Sequence, residues 1–282
     1  MSAEAAVILV ADHPAALADL TAPLRGRLAR AGWSCRADHP FIRAYAPTEG
    51  RLAITPAFDG HGLLIGDVFD TEGRPLSMDA RCSLGCGVLN IGRANMLTGS
   101  IWGRYVLIRR TADGASILRD PSGLAGSDAG VTVIATAADP VLDPLLPDDI
   151  DIDLEGVAAL VERPGEFFHN PALRGVNPIA AGELRTMEAG GARSKQIWTP
   201  VGAYRAGRGT PPPLRETVER AVRATAGDRS WVAELSGGLD SAIVAAALSD
   251  GQRRRVTAWV NHYVDQPEGD ERTDARAVGD RL

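Results

Sequence analysis

The chain has 282 residues, 45% of them hydrophobic and 23% charged, with 31 Gly and 18 Pro, the balance of a globular protein of one or two domains. Disorder, collagen and coiled coil are excluded, and no stretch reaches the roughly 18 consecutive apolar residues of a membrane helix. Residues 1–200 carry 18 basic and 24 acidic groups and residues 201–282 carry 12 of each, so neither part presents a basic nucleic-acid surface.

The apolar run Ala5 to Ala11 is too short for a secretory signal and has no basic residue before it. Three cysteines, Cys35, Cys82 and Cys86, do not make a disulfide framework, so a soluble, cytoplasmic protein is expected. Of 30 basic residues 29 are Arg, and Lys195 stands alone. A Walker A loop, which needs Gly-Lys-Ser/Thr, is therefore absent. Lys195 lies in a polar-to-apolar alternation that reads as a solvent-facing strand position rather than a catalytic lysine.

From Met1 to about Ala203 the pattern is of short strands between turn signals. Val7–Ala11, Leu52–Thr55, Leu63–Val68, Tyr105–Arg110, Ala115–Arg119, Val131–Thr136, Gly182–Met187 and Ser194–Trp198 have strand length and composition. Helical spacing is clearest over Ala16–Ala31, where Leu17, Leu20, Leu24 and Leu28 recur three or four apart, and again over Asp153–Val161. Many strands and few helices predict an α+β domain of packed antiparallel sheets over residues 1–203.

Residues 204–213, rich in Gly and ending in three prolines, read as a linker. Beyond it, over 214–282, the order changes to a helix at Leu214–Ala226, a strand at Trp231–Leu235, a helix at Ser241–Leu248, a strand at Val256–Val260 and a helix at Asp270–Leu282. Strand-helix alternation with apolar strands predicts the opening of an α/β domain with a parallel sheet. Two strands cannot bury both faces, so a continuation past Leu282 or a partner is expected to complete it.

The strongest chemical signal is Glu234-Leu-Ser-Gly-Gly-Leu-Asp-Ser241, which runs from a strand end into a helix start. Gly237 and Gly238 let the backbone turn sharply and leave its N–H groups unobstructed, and the helix start adds more N–H groups and a positive dipole end. This is an anion nest suited to a phosphate. Ser236 and Ser241 can add hydroxyl donors, and Asp240 can hold Mg²⁺ against the phosphates. The plain alternative is a turn followed by a helix cap.

Ser236-Gly-Gly-Leu-Asp-Ser241 resembles the pyrophosphate loop of ATP pyrophosphatases of the asparagine synthetase and β-lactam synthetase superfamily. Gly66-Asp-Val-Phe-Asp70, Trp102-Gly-Arg-Tyr-Val-Leu-Ile108 with Leu118-Arg-Asp-Pro-Ser-Gly123, and Ala180-Ala-Gly-Glu-Leu184 with Ile197-Trp-Thr-Pro200 resemble segments of that family's glutaminase-like, Ntn-type amidotransferase domain. Val256-Thr-Ala-Trp-Val260 resembles the strand that contacts adenine, and Asp270-Glu271 before an Ala/Val-rich helix also recurs in the family. The resemblance implies ATP and Mg²⁺ as cofactors, with ATP on Leu235, Ser236, Gly237, Gly238, Asp240, Ser241 and Ala258, and the metal on Asp240.

One departure is informative. The family's glutaminase cysteine is exposed as the first residue after methionine removal, whereas here Ser2 follows Met1 and the three cysteines are internal. An alcohol is a far weaker nucleophile than a thiolate near neutral pH, so glutamine hydrolysis is not expected and the domain is expected to persist as a scaffold. Loss of the ammonia source with retention of ATP activation resembles enzymes whose amine is already on the substrate. Among them, the Trp102 and Leu118 segments most resemble lasso peptide macrolactam synthetases. That resemblance implies a precursor peptide, or another small carboxylate, as substrate and a precursor-processing peptidase as a partner, with neither nucleic acid nor membrane involved. The residues that assist the amine are expected downstream of Leu282. An asparagine or β-lactam synthetase relative, and a non-catalytic or truncated nucleotide-binding subunit, are the alternatives.

Weaker signals have plainer readings. Cys82-x-x-x-Cys86 with His61 lacks a partner pair for a metal site, and His262, near the nucleotide edge, reads as a strand end or a ligand contact. Arg253-Arg-Arg255 reads as a solvated turn. Asp148–Asp153 lacks the Gly and Glu of a calcium loop and reads as a turn before a helix.

Overall fold

A computed structural model describes residues 5–11, 14–56, 61–84, 86–112, 114–121, 127–128, 133–136, 140–145, 151–163, 172–188, 191–207, 211–261 and 269–282. Ser2, His13, Gly123, Asp148, His169, Arg208 and His262 lie outside the described residues. Two compact units result, one of residues Met1–Asp70 and Leu76–Ala206, the other of Thr71–Pro75 and Gly207–Leu282.

In the first unit β1 (Val7–Val10) is followed by α1 (Pro14–Arg30), β2 (Trp33–Asp38), β3 (Ile42–Pro47), β4 (Ile54–Pro56) and β5 (Gly62–Asp70). Next come α2 (Met78–Leu84), α3 (Ile91–Ser100), β6 (Ile101–Thr111), β7 (Gly114–Arg119), β8 (Ser127–Asp128), β9 (Val133–Ala135) and a 3₁₀ turn at Pro140–Leu145. The unit closes with α4 (Leu154–Glu162), β10 (Asn177–Pro178), β11 (Glu183–Glu188), β12 (Gly191–Gln196) and α5 (Pro200–Ala206). Helix α5 occupies the start of the segment whose composition suggests a linker, and β12 begins and ends earlier than its alternation suggests.

Among the described residues the strands form two six-stranded sheets, ordered β10-β8-β9-β1-β3-β2 and β12-β11-β7-β6-β5-β4, with antiparallel pairings. Side chains on a strand alternate between faces, and here both faces are covered. Ala6, just before β1, and Ile8 and Val10 of β1 meet Leu63 and Ile65 of β5 and Val106 and Ile108 of β6 in the core between the sheets. Val7 and Leu9 point the other way, onto Leu17, Leu24 and Leu28 of α1. On the outer face of the second sheet, Leu64, Val68, Tyr105 and Leu107 pack with Ala94 and Leu97 of α3. The result is an α-β-β-α stack, and it explains why β1 and β5 read as continuous apolar runs rather than alternations.

The sheet of β5 and β6 is tightened by two glycines. Gly66 and Gly103 have φ of +101° and +138°, and a Cβ there would lie 2.0 Å from Arg104 O and 2.2 Å from Asp67 O. Only glycine tolerates such a backbone approach. Beside it, the buried Arg81 of α2 donates from Nε to Thr55 Oγ1 at 2.9 Å and from its terminal nitrogen to Gly66 O at 2.8 Å. Burial pushes the Arg81 guanidinium below its ordinary pKa, while Asp67 pulls it back up.

In the second unit α6 (Leu214–Ala226) leads to β13 (Trp231–Glu234), α7 (Leu239–Ala247), α8 (Asp250–Arg253), β14 (Val256–Val260) and α9 (Arg272–Gly279). β13 and β14 pair in parallel, Val232 opposite Ala258 and Glu234 opposite Val260. Gln252 ties the layer together, accepting the Ser249 backbone N–H and donating to the carbonyls of Arg223 and Gly227 at 2.8 and 3.1 Å. A small core of Leu235, Ala245 and Ala275, with Val278 and Leu282 against it, fixes α7 and α9 on the sheet. No helix among the described residues is long and apolar enough to cross a membrane.

Candidate nucleotide site

The segment Leu235–Gly238 joins the carboxyl end of β13 to the first turn of α7. The parallel ladder continues one step beyond the strands: Leu235 N donates to Val260 O at 2.8 Å, and Asn261 Nδ2 donates to Leu235 O at 2.9 Å. Leu235 is thereby held as part of the sheet, and the chain then turns through Gly237, whose φ is +89°. A Cβ at Gly237 would lie 2.8 Å from Asp274 Cβ, 2.9 Å from Ala275 N and 3.1 Å from Glu271 O, so the start of α9 backs the loop directly. Glycine at this position follows from both the left-handed backbone and the proximity of α9.

The two serines bridge the loop. Ser236 Oγ and Ser241 Oγ are 3.0 Å apart, Ser236 N donates to Ser241 Oγ at 3.2 Å, Gly238 N donates to Ser236 Oγ at 3.2 Å, and Ser241 Oγ lies 3.2 Å from Gly238 O. Gly238 is the N-cap of α7, with an extended φ of −70° and ψ of 164°, and makes no side-chain cap. The first turn of α7 therefore presents backbone N–H groups and the positive end of its dipole where the hydroxyl pair sits. Asp240, exposed in that first turn, is the loop's carboxylate.

The sequence-predicted residues Leu235, Ser236, Gly237, Gly238, Asp240 and Ser241 come together in one strand-loop-helix element. Leu235 is buried, Ser236 to Gly238 and Ser241 are half-buried, and Asp240 faces solvent. Ala258 is exposed on β14 opposite Val232. At the carboxyl ends of the two strands lies a cavity of about 440 Å³ lined by Leu235, Trp259, Val260, Asn261 and residues of α9, a lining that does not include Ala258. Sequence reasoning did not single out Asn261, although an amide directly after an apolar strand at the carboxyl edge of a parallel sheet is a usable signal.

Charges nearby are paired. Asp270, just before α9, receives two hydrogen bonds at 2.7 Å from the Arg272 guanidinium and one from the Arg272 backbone N–H at 3.1 Å. The Arg272 side chain first, and that N–H second, hold the Asp270 carboxyl down at about 2. In the turn between α8 and β14, Arg253 bonds Asp250 at 2.6 Å and Arg255 bonds Asp228, which agrees with a solvated turn. Lys195 is exposed on β12, and all three cysteines are free. Among the described residues no three His, Cys, Asp or Glu side chains come together to hold a metal ion.

Residues 213–282 match the asparagine synthase family. That family uses ATP in forming amides, and the matched segment contains the whole loop described above. No curated protein matches the chain. Two solved structures are distantly similar. One is described as the allosteric regulatory enzyme of purine biosynthesis, with 13% identity over 94% of this chain and 61% of that one, and a TM-score of 0.34. The other is glutamine phosphoribosylpyrophosphate amidotransferase from B. subtilis complexed with ADP and GMP, with 9% identity over 92% and 59% and a TM-score of 0.30. The chain thus spans about three fifths of the length of each.

Proposed function

We propose that this chain binds ATP on the loop Ser236–Ser241 and takes part in ATP-dependent amide formation of the macrolactam type. The observation that carries the reading is the loop itself: a parallel strand, a glycine turn backed by α9, and two serines at a helix start, within the segment matching the asparagine synthase family. The residues present suit a polyphosphate. Backbone N–H groups of the first turn of α7 and the hydroxyls of Ser236 and Ser241 bind its oxygens, and Asp240 would hold Mg²⁺, which usually takes one or two protein carboxylates and completes its shell with phosphates and water. Bound there, the ion neutralises phosphate charge.

In the reaction proposed, a side-chain carboxylate oxygen of an Asp or Glu in a precursor peptide attacks the α-phosphorus and pyrophosphate leaves. The peptide's N-terminal amine then attacks the acyl carbon, loses a proton and displaces AMP, closing an isopeptide ring. The enzyme's part is to hold the two peptide ends together and to stabilise charge on the departing phosphates. The first unit, an α-β-β-α sandwich read as glutaminase-like, serves as scaffold or peptide-binding surface. A cytoplasmic location and a precursor-processing peptidase as partner belong to the same reading. The asparagine synthase match also supports an asparagine or β-lactam synthetase relative, which differs in the carboxylate and amine used.

Pyrophosphate release from Mg·ATP, measured with and without candidate precursor peptides, tests the proposal. Peptide-dependent release that falls at least 100-fold in Asp240→Ala supports it. Release only with small amino-acid carboxylates favours the relative, and nucleotide binding without release under any condition favours a non-catalytic nucleotide-binding subunit.

A further inference from the structure

Cys82 sits in the last turn of α2, and Cys86 follows it four residues on. Both thiols are free and half-buried, and Cys86 Sγ lies 3.5 Å from the Cys82 carbonyl oxygen. The chain tightens at this point, since Cys86 N donates to Ser83 O at 3.3 Å and Gly87 then turns with φ of +75°. Leu84 before Cys86 and Leu89 after it both pack into the core under α3, which keeps Cys86 close to α2. Four residues of helix advance about 6 Å between Cα atoms, inside the roughly 4.4–6.8 Å that a disulfide bridges.

What a disulfide requires and what the helix end supplies differ only slightly. Side chains four apart on a helix stand about 5–6 Å apart at Cβ, whereas a disulfide needs about 3.5–4.5 Å. Closing the bond therefore draws Cys86 inward and reshapes the last turn of α2. The carbonyls of that turn are held from α3, where Arg93 donates to Ser83 O at 3.1 Å and to Leu84 O at 3.4 Å. The Arg93 clamp and a disulfide are two competing arrangements of the same turn.

We propose that Cys82 and Cys86 form a thiol–disulfide switch that exchanges with a low-molecular-weight disulfide of the glutathione type. The thiolate of one cysteine attacks a sulfur of the small disulfide and expels one small thiolate. The thiolate of the other cysteine attacks the protein sulfur of the resulting mixed disulfide and expels the second. Two protein thiols are thus oxidised to one disulfide, the small disulfide is reduced, and the two protons pass to the departing small thiolates. Oxidation detaches Arg93 from α2, so that the outer layer of the first unit responds to the thiol balance around it. Cys35, exposed on β2 in the other sheet with Sγ on the Ala37 carbonyl at 3.3 Å, is the internal reference.

The full chain is equilibrated with graded ratios of oxidised to reduced glutathione, quenched with acid, alkylated and mapped by mass spectrometry. A loss of two of the three free thiols to a Cys82–Cys86 link, absent in Cys86→Ser, is expected. Glutathione on Cys82 or Cys86 with no link between them overturns the proposal, and so does retention of both thiols at every ratio. At a fixed ratio Arg93→Gln is expected to raise the disulfide-to-dithiol quotient about fivefold, because the reduced arrangement loses its clamp. An unchanged quotient overturns the competition with Arg93. The same comparison in denaturing urea is expected to show no difference between the two chains, and a difference that persists there overturns that competition too. The wild-type map alone decides the thiol pair if Arg93→Gln does not fold.

Discussion

β1 and β14 are both short apolar strands, Val-Ile-Leu-Val and Val-Thr-Ala-Trp-Val, yet they meet opposite surroundings. All four residues of β1 are buried, half against the second sheet and half against α1, whereas four of the five in β14 are exposed. The same contrast runs through the helices. α1 buries Leu17, Leu24 and Leu28, while α6 buries none of its residues and α7 leaves Leu239, Ile243 and Val244 exposed. An apolar strand composition therefore reports what a strand requires, two covered faces, and not what the neighbouring elements supply. The first unit meets the requirement with four layers. The described residues of the second unit meet it over a small core around Leu235, Ala245 and Ala275.

The largest expected effect tests the tightness of the first unit. Gly66→Ala would place a methyl 2.0 Å from Arg104 O at a left-handed φ, and would displace the carbonyl that Arg81 binds. Strain and the disturbed guanidinium together should destabilise the chain by about 3–5 kcal/mol. Urea unfolding followed by far-UV circular dichroism measures it, and a loss below about 1 kcal/mol would show that β5 and β6 can separate without penalty.

Next in size is a matched pair of tryptophans. Trp33 on β2 is 3% exposed and packed with Leu28 and Tyr45 in the α1 layer, while Trp259 on β14 is 39% exposed. Trp33→Ala should cost about 3–4 kcal/mol and Trp259→Ala about 1 kcal/mol or less, since truncation is expensive in proportion to what was buried. Equal losses in thermal unfolding would erase the distinction between the two units.

These pairs also show what was legible in the sequence. The periodic leucines identify α1, because burial on one stripe leaves a spacing of three and four. The serine loop was legible because glycine, hydroxyl and carboxylate each have a local reason to be there. β2 and β3 were not, since Trp33-Ser-Cys-Arg-Ala-Asp38 mixes polar residues at exposed positions and Ile42–Pro47 gains its strand character from pairing on both sides. α2 and α3 were missed because helices of 7 and 10 residues are too short to display a clear period, and α3 is fixed by a cap, Asn90 Oδ1 accepting from Arg93 N at 3.0 Å, and by Ala94 and Leu97 against the sheet.

The smallest effect is electrostatic and local. Asp270 is held at about 2 by the Arg272 guanidinium and backbone N–H, against about 3.9 for an unperturbed aspartate. A carboxyl depressed in the folded state contributes stability that is fully present above the unfolded value and is lost as pH falls through the folded one, so the window is pH 4 to 2. The group is solvent-exposed, and screening keeps its contribution to global stability slight. Its effect should instead be seen at the start of α9, where Glu271 O and Asp274 back Gly237. Carboxyl carbon chemical shifts followed by NMR should give a midpoint near 2 for Asp270, rising toward 4 in Arg272→Gln. Amide signals of Gly237 and Ala275 should shift with the same midpoint, because protonating Asp270 releases the side chain that fixes the first turn of the helix behind the loop. A midpoint near 4 in the wild-type chain would mean that the Arg272 pair does not hold in solution, and the contrast between a deeply buried first unit and a more exposed second one would then extend to the ground on which the nucleotide loop rests.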